Sequence, residues 1–283
     1  MSSNLGEKLF QFNAFFFDGD GVLYKENTIL PGAKELLSIL EEKKKKIFIL
    51  TNNSTKTREE YVEKLKNFGI NVNLNQILTS AYLTAKHVSE TFPESKIYVI
   101  GEQGLKEELE RVNLQVLNNW EEKNSEDPFD FDLESVDIVI TGMDRKLTYV
   151  KLARAMNILK NKHVRFIGTN ADITFPTPSG FVPGGGAMID ILETLSNRKI
   201  DTIIGKPKPL MFNMALELSS AKKTDAIMFG DRLETDIVGA KNVGINTCFV
   251  LGGASKLSDL VKLDKTFYPD IITNSLSDLV QLF

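Results

Sequence analysis

The chain has 283 residues, enough for one large or two medium domains, each with a core of its own. Hydrophobic residues make up 42% and charged residues 25%, the proportions of an ordinary globular protein. The formal net charge of -4 gives no general reason to expect nucleic-acid binding, and any phosphate held here is expected as one small group in one pocket.

A single cysteine, Cys248, excludes an internal disulfide framework and suits a reducing compartment. It lies in the apolar run Thr247-Cys248-Phe249-Val250-Leu251, with no basic neighbour to ionise the thiol, and reads as a buried strand residue. The stretch from Met1 to Phe12 carries both charge signs and lacks the apolar segment of a signal peptide. No apolar run approaches the roughly 20 residues that span a bilayer. The expected address is the cytoplasm, with neither membrane nor nucleic acid as a partner.

Taken in chain order, short apolar runs alternate with helical patterns. Ala14-Phe15-Phe16-Phe17 reads as a buried strand ending at Asp18. Pro31 to Glu42 has Ala33, Leu36, Leu37 and Leu40 at helical spacing, with Pro31 in the first turn. The charge run from Lys43 to Lys46 reads as a solvated terminus compensating that helix's dipole. Lys46 to Leu50 is a second strand, followed by the polar Thr51-Asn52-Asn53, and a helix from about Thr57 to Phe68 ends at Gly69. The segment from Ala81 to Asp201 has its own strands (Lys96 to Ile100, Val136 to Thr141, Val164 to Thr169) and helices (Leu105 to Arg111, Tyr149 to Leu159). Within it, Asp127, Asp130, Asp132 and Glu134 lack the turn glycine and distal glutamate of a calcium loop and read as a solvated acidic loop. Gly101 and Gly104 lack the third glycine of a dinucleotide fingerprint. His87 and His163 read as structural or surface residues. Thr202-Ile203-Ile204 is a strand leading to Gly205-Lys206-Pro207. Ala226 to Phe229 is another, ending at Gly230-Asp231, and Asp236 to Val243 reads as a helix ending at Gly244.

Strand–helix–strand alternation predicts an α/β fold: a Rossmann-like parallel-sheet core, residues 1–80 and 202–283, with an inserted α/β domain at 81–201. In such sheets ligands bind beyond the carboxyl ends of the strands. The polar clusters sit at those ends. Asp18 and Asp20, two apart in an extended segment, face the same way. Two carboxylates in one pocket repel, which calls for a cation, and a divalent ion with oxygen ligands answers the requirement. Thr51 offers a hydroxyl to a phosphate oxygen, Lys206 offsets negative charge, and Asp231 and Asp236 add carboxylate oxygens.

These segments, Phe-Phe-Phe-Asp18-Gly-Asp20-Gly-Val, Leu-Thr51-Asn-Asn, Gly-Lys206-Pro and Gly-Asp231-Arg-Leu-Glu-Thr-Asp236, resemble the four ordered motifs of the haloacid dehalogenase superfamily. The likeness runs from Phe15 to Asp259. It is nearest to the p-nitrophenylphosphatase and phosphoglycolate phosphatase branch, whose large cap lies between the second and third motifs. Cap segments such as Gly142-Met-Asp-Arg-Lys-Leu-Thr-Tyr-Val-Lys-Leu and Thr169-Asn-Ala-Asp172 share in it.

The resemblance implies that Asp18 attacks phosphorus and forms an aspartyl-phosphate, and that Asp20 protonates the leaving alcohol and later takes a proton from water. It implies Mg2+ held by an Asp18 oxygen, the Asp20 backbone carbonyl and Asp231, with Asp236 orienting that shell through water. Thr51, Asn52, Asn53 and Lys206 would hold the phosphoryl oxygens. An acid at position 20 favours ester hydrolysis over dehalogenation, because an alkoxide leaving group needs a proton and a halide does not. The segment from Thr169 to Gly186 resembles the branch's substrate-specificity loop, in which Asp172 and Phe175 either touch substrate or pack the cap. Its glycines and prolines read as loop formers.

The implied substrate is a small phosphorylated metabolite, since a cap of roughly 120 residues keeps folded phosphoproteins out. Vitamin-B6 phosphatases of this branch carry histidines in the loop and this chain has none there. That favours 2-phosphoglycolate or 2-phospholactate over pyridoxal 5'-phosphate or sugar phosphates, with p-nitrophenyl phosphate as an artificial substrate. A phosphomutase is disfavoured by the short spacing of about 30 residues between Asp20 and Thr51. A catalytically silent binding protein is disfavoured by the intact Asp18, Asp20, Lys206 and Asp231. Relatives with this cap pair through it, so the resemblance also implies a homodimer.

Overall fold

A computed structural model describes residues 2–118 and 127–282. Two units form. One comprises Met1–Thr51, Glu59–Leu78 and Lys206–Phe283, the other Asn52–Arg58 and Thr79–Gly205.

In the first unit six strands lie in the order Ile271–Thr273, Asn246–Val250, Ala226–Gly230, Ala14–Asp18, Lys46–Thr51 and Ile77–Thr79. The central pairings are parallel, with Phe17 opposite Phe229 and Asp18 opposite Leu50. A parallel sheet covered on both faces needs continuous apolar runs rather than alternation. Ala14 to Phe17 meets that need, and all four are buried. Each of the three phenylalanines contributes about 1.5–3 kcal/mol by leaving water. Phe17 and Phe229 stack with ring centroids 4.6 Å apart, which locks the register of neighbouring strands. Leu36, Leu37 and Leu40 of the helix Ala33–Glu42 and Tyr61 and Leu65 of the helix Arg58–Asn67 join Phe15, Phe17 and Ile49 in one core.

Local chemistry shifts some boundaries. The helix expected from Pro31 begins at Ala33, because Gly32 takes a left-handed φ of 82° that cannot belong to a right-handed helix. The lysine run divides: Lys43 and Lys44 are exposed directly after their own helix, as expected, while the next two lysines reach other helices. Lys45 Nζ donates to Phe10 O at 2.7 Å and Lys46 Nζ to Ser219 O at 2.6 Å, so two amines cap the carboxyl ends of the helices Ser2–Phe10 and Pro209–Ser219.

The sheet's direction of travel defines a crevice. From Ala14–Asp18 the chain moves to Lys46–Thr51 on one side, and much later enters Ala226–Gly230 on the other. That is a topological switch point, and the carboxyl ends of its strands carry Asp18, Thr51 and Asp231.

The second unit holds a five-stranded parallel sheet ordered Thr202–Ile203, Arg165–Gly168, Ile138–Thr141, Lys96–Ile100 and Gln115–Val116. Tyr98, Phe166, Ile158 and Leu192 centre its core. Thr202–Ile203 therefore belongs to this sheet and not to the core sheet that precedes Lys206, with Thr202 opposite Ile167. The unit runs from Thr79 to Gly205 rather than over 81–201, and it recruits 52–58. Thr79 caps the helix Ser80–Thr91 by accepting the Tyr82 N–H at 3.0 Å. Arg58 N donates to buried Glu108 at 2.9 Å while its guanidinium stacks 3.6 Å over Tyr82, which ties 52–58 to this unit.

Two loop expectations change as well. Gly184-Gly185-Gly186 opens the helix Gly185–Ser196, because a side chain on Gly186 would meet Ala171 O at 2.3 Å. The acidic loop is fastened rather than merely solvated: buried Arg154 pairs with Asp130 and donates to Asp127 O and Pro128 O, each at 3.1 Å. Among the described residues no helix is long and apolar enough to cross a membrane.

Candidate active site

At the switch point the nucleophile candidate meets its counter-charge. Asp18 ends the first sheet strand with its side chain 13% exposed, and Oδ1 lies 2.7 Å from Lys206 Nζ. The same amine is 2.7 Å from Asp236 Oδ1 and 3.2 Å from Leu50 O. The amine thus donates to Asp18 and to the Leu50 carbonyl and forms an ion pair with Asp236. Asp236 follows Asp231 through a π-helical turn, Leu233–Ile237, and its Oδ2 accepts the Arg232 N–H at 3.1 Å. The wide turn brings both carboxylates of one loop to the same crevice.

Asp231 is held from the opposite side. Its Oδ2 accepts the Ala254 N–H at 2.6 Å, and the carboxylate is wedged between two glycines. An added Cβ would lie 2.2 Å from Oδ2 at Gly21 and 2.1 Å at Gly253. Gly21 also has φ 88°, so its backbone and its neighbour both demand glycine.

Burial sets the electrostatics. It pushes the Asp18 carboxyl up to about 8, with Asp236 and Asp231 adding to the rise and Lys206 opposing it. It also pushes Asp231 up to about 6, together with the charge of Asp236 and against the Ala254 hydrogen bond. Burial disfavours charge on Lys206, yet Asp18 and Asp236 hold its pKa above the ordinary lysine value. When ionised, the three carboxylates outnumber the single Lys206 ammonium, so a bound cation would favour their charged forms against the burial that protonates them. Ligand oxygens of Asp18, Asp231 and Asp236 lie within 4.8 Å of one another. Asp231 Oδ1 is buried without a hydrogen-bond partner among the described residues. Charge, donor type and an orphaned oxygen all fit a hard divalent cation such as Mg2+.

Asp20 stands apart. Strand geometry stops at Asp18 and the chain turns, so the Asp20 side chain is exposed and lies outside the three-carboxylate cluster. Beyond Asp18 the chain turns, with the Leu23 and Tyr24 N–H groups both donating to Gly19 O. Burial still raises the Asp20 carboxyl, with Lys64 the chief opposing charge. Thr51 is buried at the end of its strand.

The remaining expected residues group in the second unit. Asn52 Nδ2 donates to Asp172 Oδ2 at 3.0 Å, and Asn52 O accepts from Ser80 Oγ and Asn170 Nδ2. Asn53 Oδ1 accepts from Thr55 N at 2.7 Å and Thr55 Oγ1 at 2.8 Å, which makes a local turn. Phe175 is half-buried in an antiparallel hairpin, Thr174–Thr177 with Gly180–Pro183. The Asp231 clamp of Gly21, Gly253 and Ala254 was not anticipated. The one available signal was Leu251-Gly252-Gly253-Ala254-Ser255, a paired glycine directly after an apolar strand.

Comparison with known proteins agrees with this geometry. A family model described as haloacid dehalogenase-like hydrolase matches residues 15–115, and a second HAD-hydrolase-like model matches residues 203–279. The chain is 34% identical to a 4-nitrophenylphosphatase of Schizosaccharomyces pombe, over 96% of this chain and 94% of that one. It is 34% identical to an acid sugar phosphatase of Staphylococcus epidermidis, over 88% and 90%. Among solved structures, a 4-nitrophenylphosphatase of Thermotoga maritima superposes with a TM-score of 0.86 at 33% identity, covering 97% of this chain and 98% of that one. A p-nitrophenyl phosphatase of Archaeoglobus fulgidus gives 0.85 at 30%, covering 96% and 99%. The chain belongs to the haloacid dehalogenase-like hydrolase family. It is a phosphoric monoester hydrolase.

Proposed function

We propose that the chain hydrolyses small-metabolite phosphomonoesters in a Mg2+-dependent reaction, with Asp18 as covalent nucleophile. The observation that carries this reading is the contact of Lys206 Nζ with Asp18 Oδ1 at 2.7 Å, inside a crevice with two further carboxylates. Asp18 attacks phosphorus as the P–O bond to the leaving group breaks, and Asp20 gives the departing oxygen its proton. A water then attacks the aspartyl-phosphate and yields a proton to Asp20, which releases phosphate and restores both carboxyl groups.

Asp18, Asp231 and the Asp20 carbonyl would hold the metal, which when bound supplies positive charge to the phosphoryl oxygens. Asp236 is engaged by Lys206, which supports a positioning role for it. Thr51 and Lys206, with Asn52 and Asn53, are assigned to the phosphoryl group, and Asp172 and Phe175 to the leaving group.

For the substrate we infer 2-phosphoglycolate or 2-phospholactate, on the absence of histidine from 169–186. Sugar phosphates are the second reading, supported by the names of the staphylococcal relatives. Turnover of p-nitrophenyl phosphate with and without Mg2+, in the parent chain and in Asp18→Asn, tests the reaction. Loss of activity in the variant, with folding retained, is expected; undiminished turnover removes Asp18 from the chemistry. A kcat/KM panel of phosphoglycolate, phospholactate, pyridoxal phosphate and sugar phosphates ranks the substrates.

A further inference from the structure

Just beyond the strand Arg165–Gly168, one buried amide that the reaction as written does not use joins three stretches of chain. Asn170 is 3% exposed. Its Oδ1 accepts the Asp172 N–H at 3.1 Å, a local turn that asparagine forms in many loops. Its Nδ2 reaches further than a loop former needs. It donates to Thr169 Oγ1 at 3.1 Å and to Asn52 O, 118 residues back, at 2.9 Å. Asn52 O also takes the Ser80 hydroxyl at 2.6 Å, and Thr169 O accepts the Gly205 N–H at 2.8 Å. A Cβ on Gly205 would lie 2.6 Å from Asn52 Oδ1 and 3.0 Å from Asn170 Cβ. Residues 52, 170 and 205 therefore close on one another without room for one more methyl group.

The neighbours of this knot give it a role. Asn52 is bonded to Thr51 and Gly205 to Lys206, so the main chain beside both residues assigned to the phosphoryl group is anchored here. Asp172, assigned to the leaving group, is held by the same amide and in turn accepts Asn52 Nδ2 at 3.0 Å. A carboxamide offers two N–H groups and two lone pairs, and Asn170 uses both N–H groups and one lone pair. At a buried site, water does not readily take the place of those bonds.

We propose that Asn170 is a positioning residue: it registers the leaving-group loop, at Asp172, against the chain that carries the phosphoryl-binding residues, at Asn52. The inference rests on the assignment of Thr51 and Lys206 to the phosphoryl group and of Asp172 to the leaving group. Its two sides then have separate effects. The bond from Nδ2 to Asn52 O places residue 52, and with it Thr51, and so governs turnover of every substrate. The bond from the Asp172 N–H to Oδ1 places the Asp172 carboxylate and governs discrimination among leaving groups.

The test compares two substitutions on a panel of p-nitrophenyl phosphate, phosphoglycolate, phospholactate and sugar phosphates. Asn170→Ala removes both bonds. It is expected to lower kcat about tenfold, short of the roughly 100-fold of a displaced reacting group, and to compress the spread of kcat/KM at least about threefold. Asn170→Asp keeps an acceptor for the Asp172 N–H but loses the donor to Asn52 O, so kcat should fall while the spread stays near the parent's. A merely structural role would lower the active fraction and scale kcat alike for every substrate. Unchanged kcat in both variants, or a uniform loss with unaltered spread in Asn170→Ala, overturns the proposal. Thermal midpoints confirm folding. Asn170→Ser, too short to reach Asn52 O, replaces a variant that does not fold, and is paired with Ser80→Ala. Two donors share one acceptor there, so the joint loss of kcat should exceed the product of the single losses, and independent losses overturn the proposal. Asp18→Asn separates the two levels: if it is inactive while Asn170→Ala matches the parent, only the role of Asn170 fails; if it is active, the reading of the site fails.

Discussion

Lys206 Nζ bridges Asp18 Oδ1 and Asp236 Oδ1 at 2.7 Å each, so a single amine joins the end of one sheet strand to the loop after its neighbour. The relationship spans 188 residues of sequence and makes the crevice one electrostatic unit. Replacing Lys206 with Met removes the only cation in contact with these carboxylates among the described residues. We expect kcat to fall at least about 100-fold. Breaking a buried pair by removing one partner should also cost about 3 kcal/mol of stability in metal-free protein. Activity assays and denaturant titrations in EDTA read the two effects.

The glycine clamp on Asp231 gives a second expectation. Gly253→Ala and Gly21→Ala each put a Cβ about 2 Å from Asp231 Oδ2, so the carboxylate must move. The Mg2+ concentration for half-maximal activity should rise about 10- to 100-fold, the usual effect of disturbing a ligand's support. A metal titration of each variant measures it, and an unchanged midpoint would separate Asp231 from the metal.

Metal removal has a pH signature. Asp18 rises to about 8 and Asp231 to about 6 in the folded chain, both above the ordinary aspartate value near 4. Between those limits the folded state binds more protons than the unfolded state, so stability of the metal-free protein falls as pH rises from about 4 to 8. Asp18→Asn, which cannot ionise, should unfold at a higher temperature than the parent at pH 8 in EDTA and lose most of that advantage near pH 5. Thermal melts at both pH values decide it.

The opposite sign is expected at Asp270. Burial raises this carboxyl, but the Lys241 amine at 2.6 Å and the Thr247 N–H at 2.8 Å outweigh it and hold the pKa below the ordinary range. Its stabilisation is therefore complete above the unfolded pKa of about 4 and is lost as pH falls through the folded value. Asp270→Asn should lower the melting temperature at pH 7 and make little difference at the acid end of the range.

Which parts of this architecture the sequence discloses follows from range of interaction. Ala14 to Phe17 reads correctly as a strand because a sheet buried on both faces leaves no other use for four consecutive apolar residues. Tyr149–Leu159 reads correctly as a helix because its capping Thr148 and its apolar spacing are local. Thr202–Ile203 is misassigned to the core because a two-residue β-branched strand pairs with whichever edge tertiary contacts offer, here Arg165–Gly168. Gly184 to Gly186 is misread as loop because the demand for glycine comes from Ala171, 15 residues away from Gly186, and not from the local turn. The residues of the site are legible as motifs. Their support is not: Ala254 under Asp231 carries no pattern of its own and acquires meaning only through contact.

The most direct measurement is acid quenching of the chain during turnover of p-nitrophenyl phosphate, followed by mass spectrometry of its peptides. A phosphoryl group on the peptide that contains Asp18, absent in Asp18→Asn, is the predicted result. A phosphoryl group on any other residue, or covalent labelling that survives in Asp18→Asn, would contradict the account.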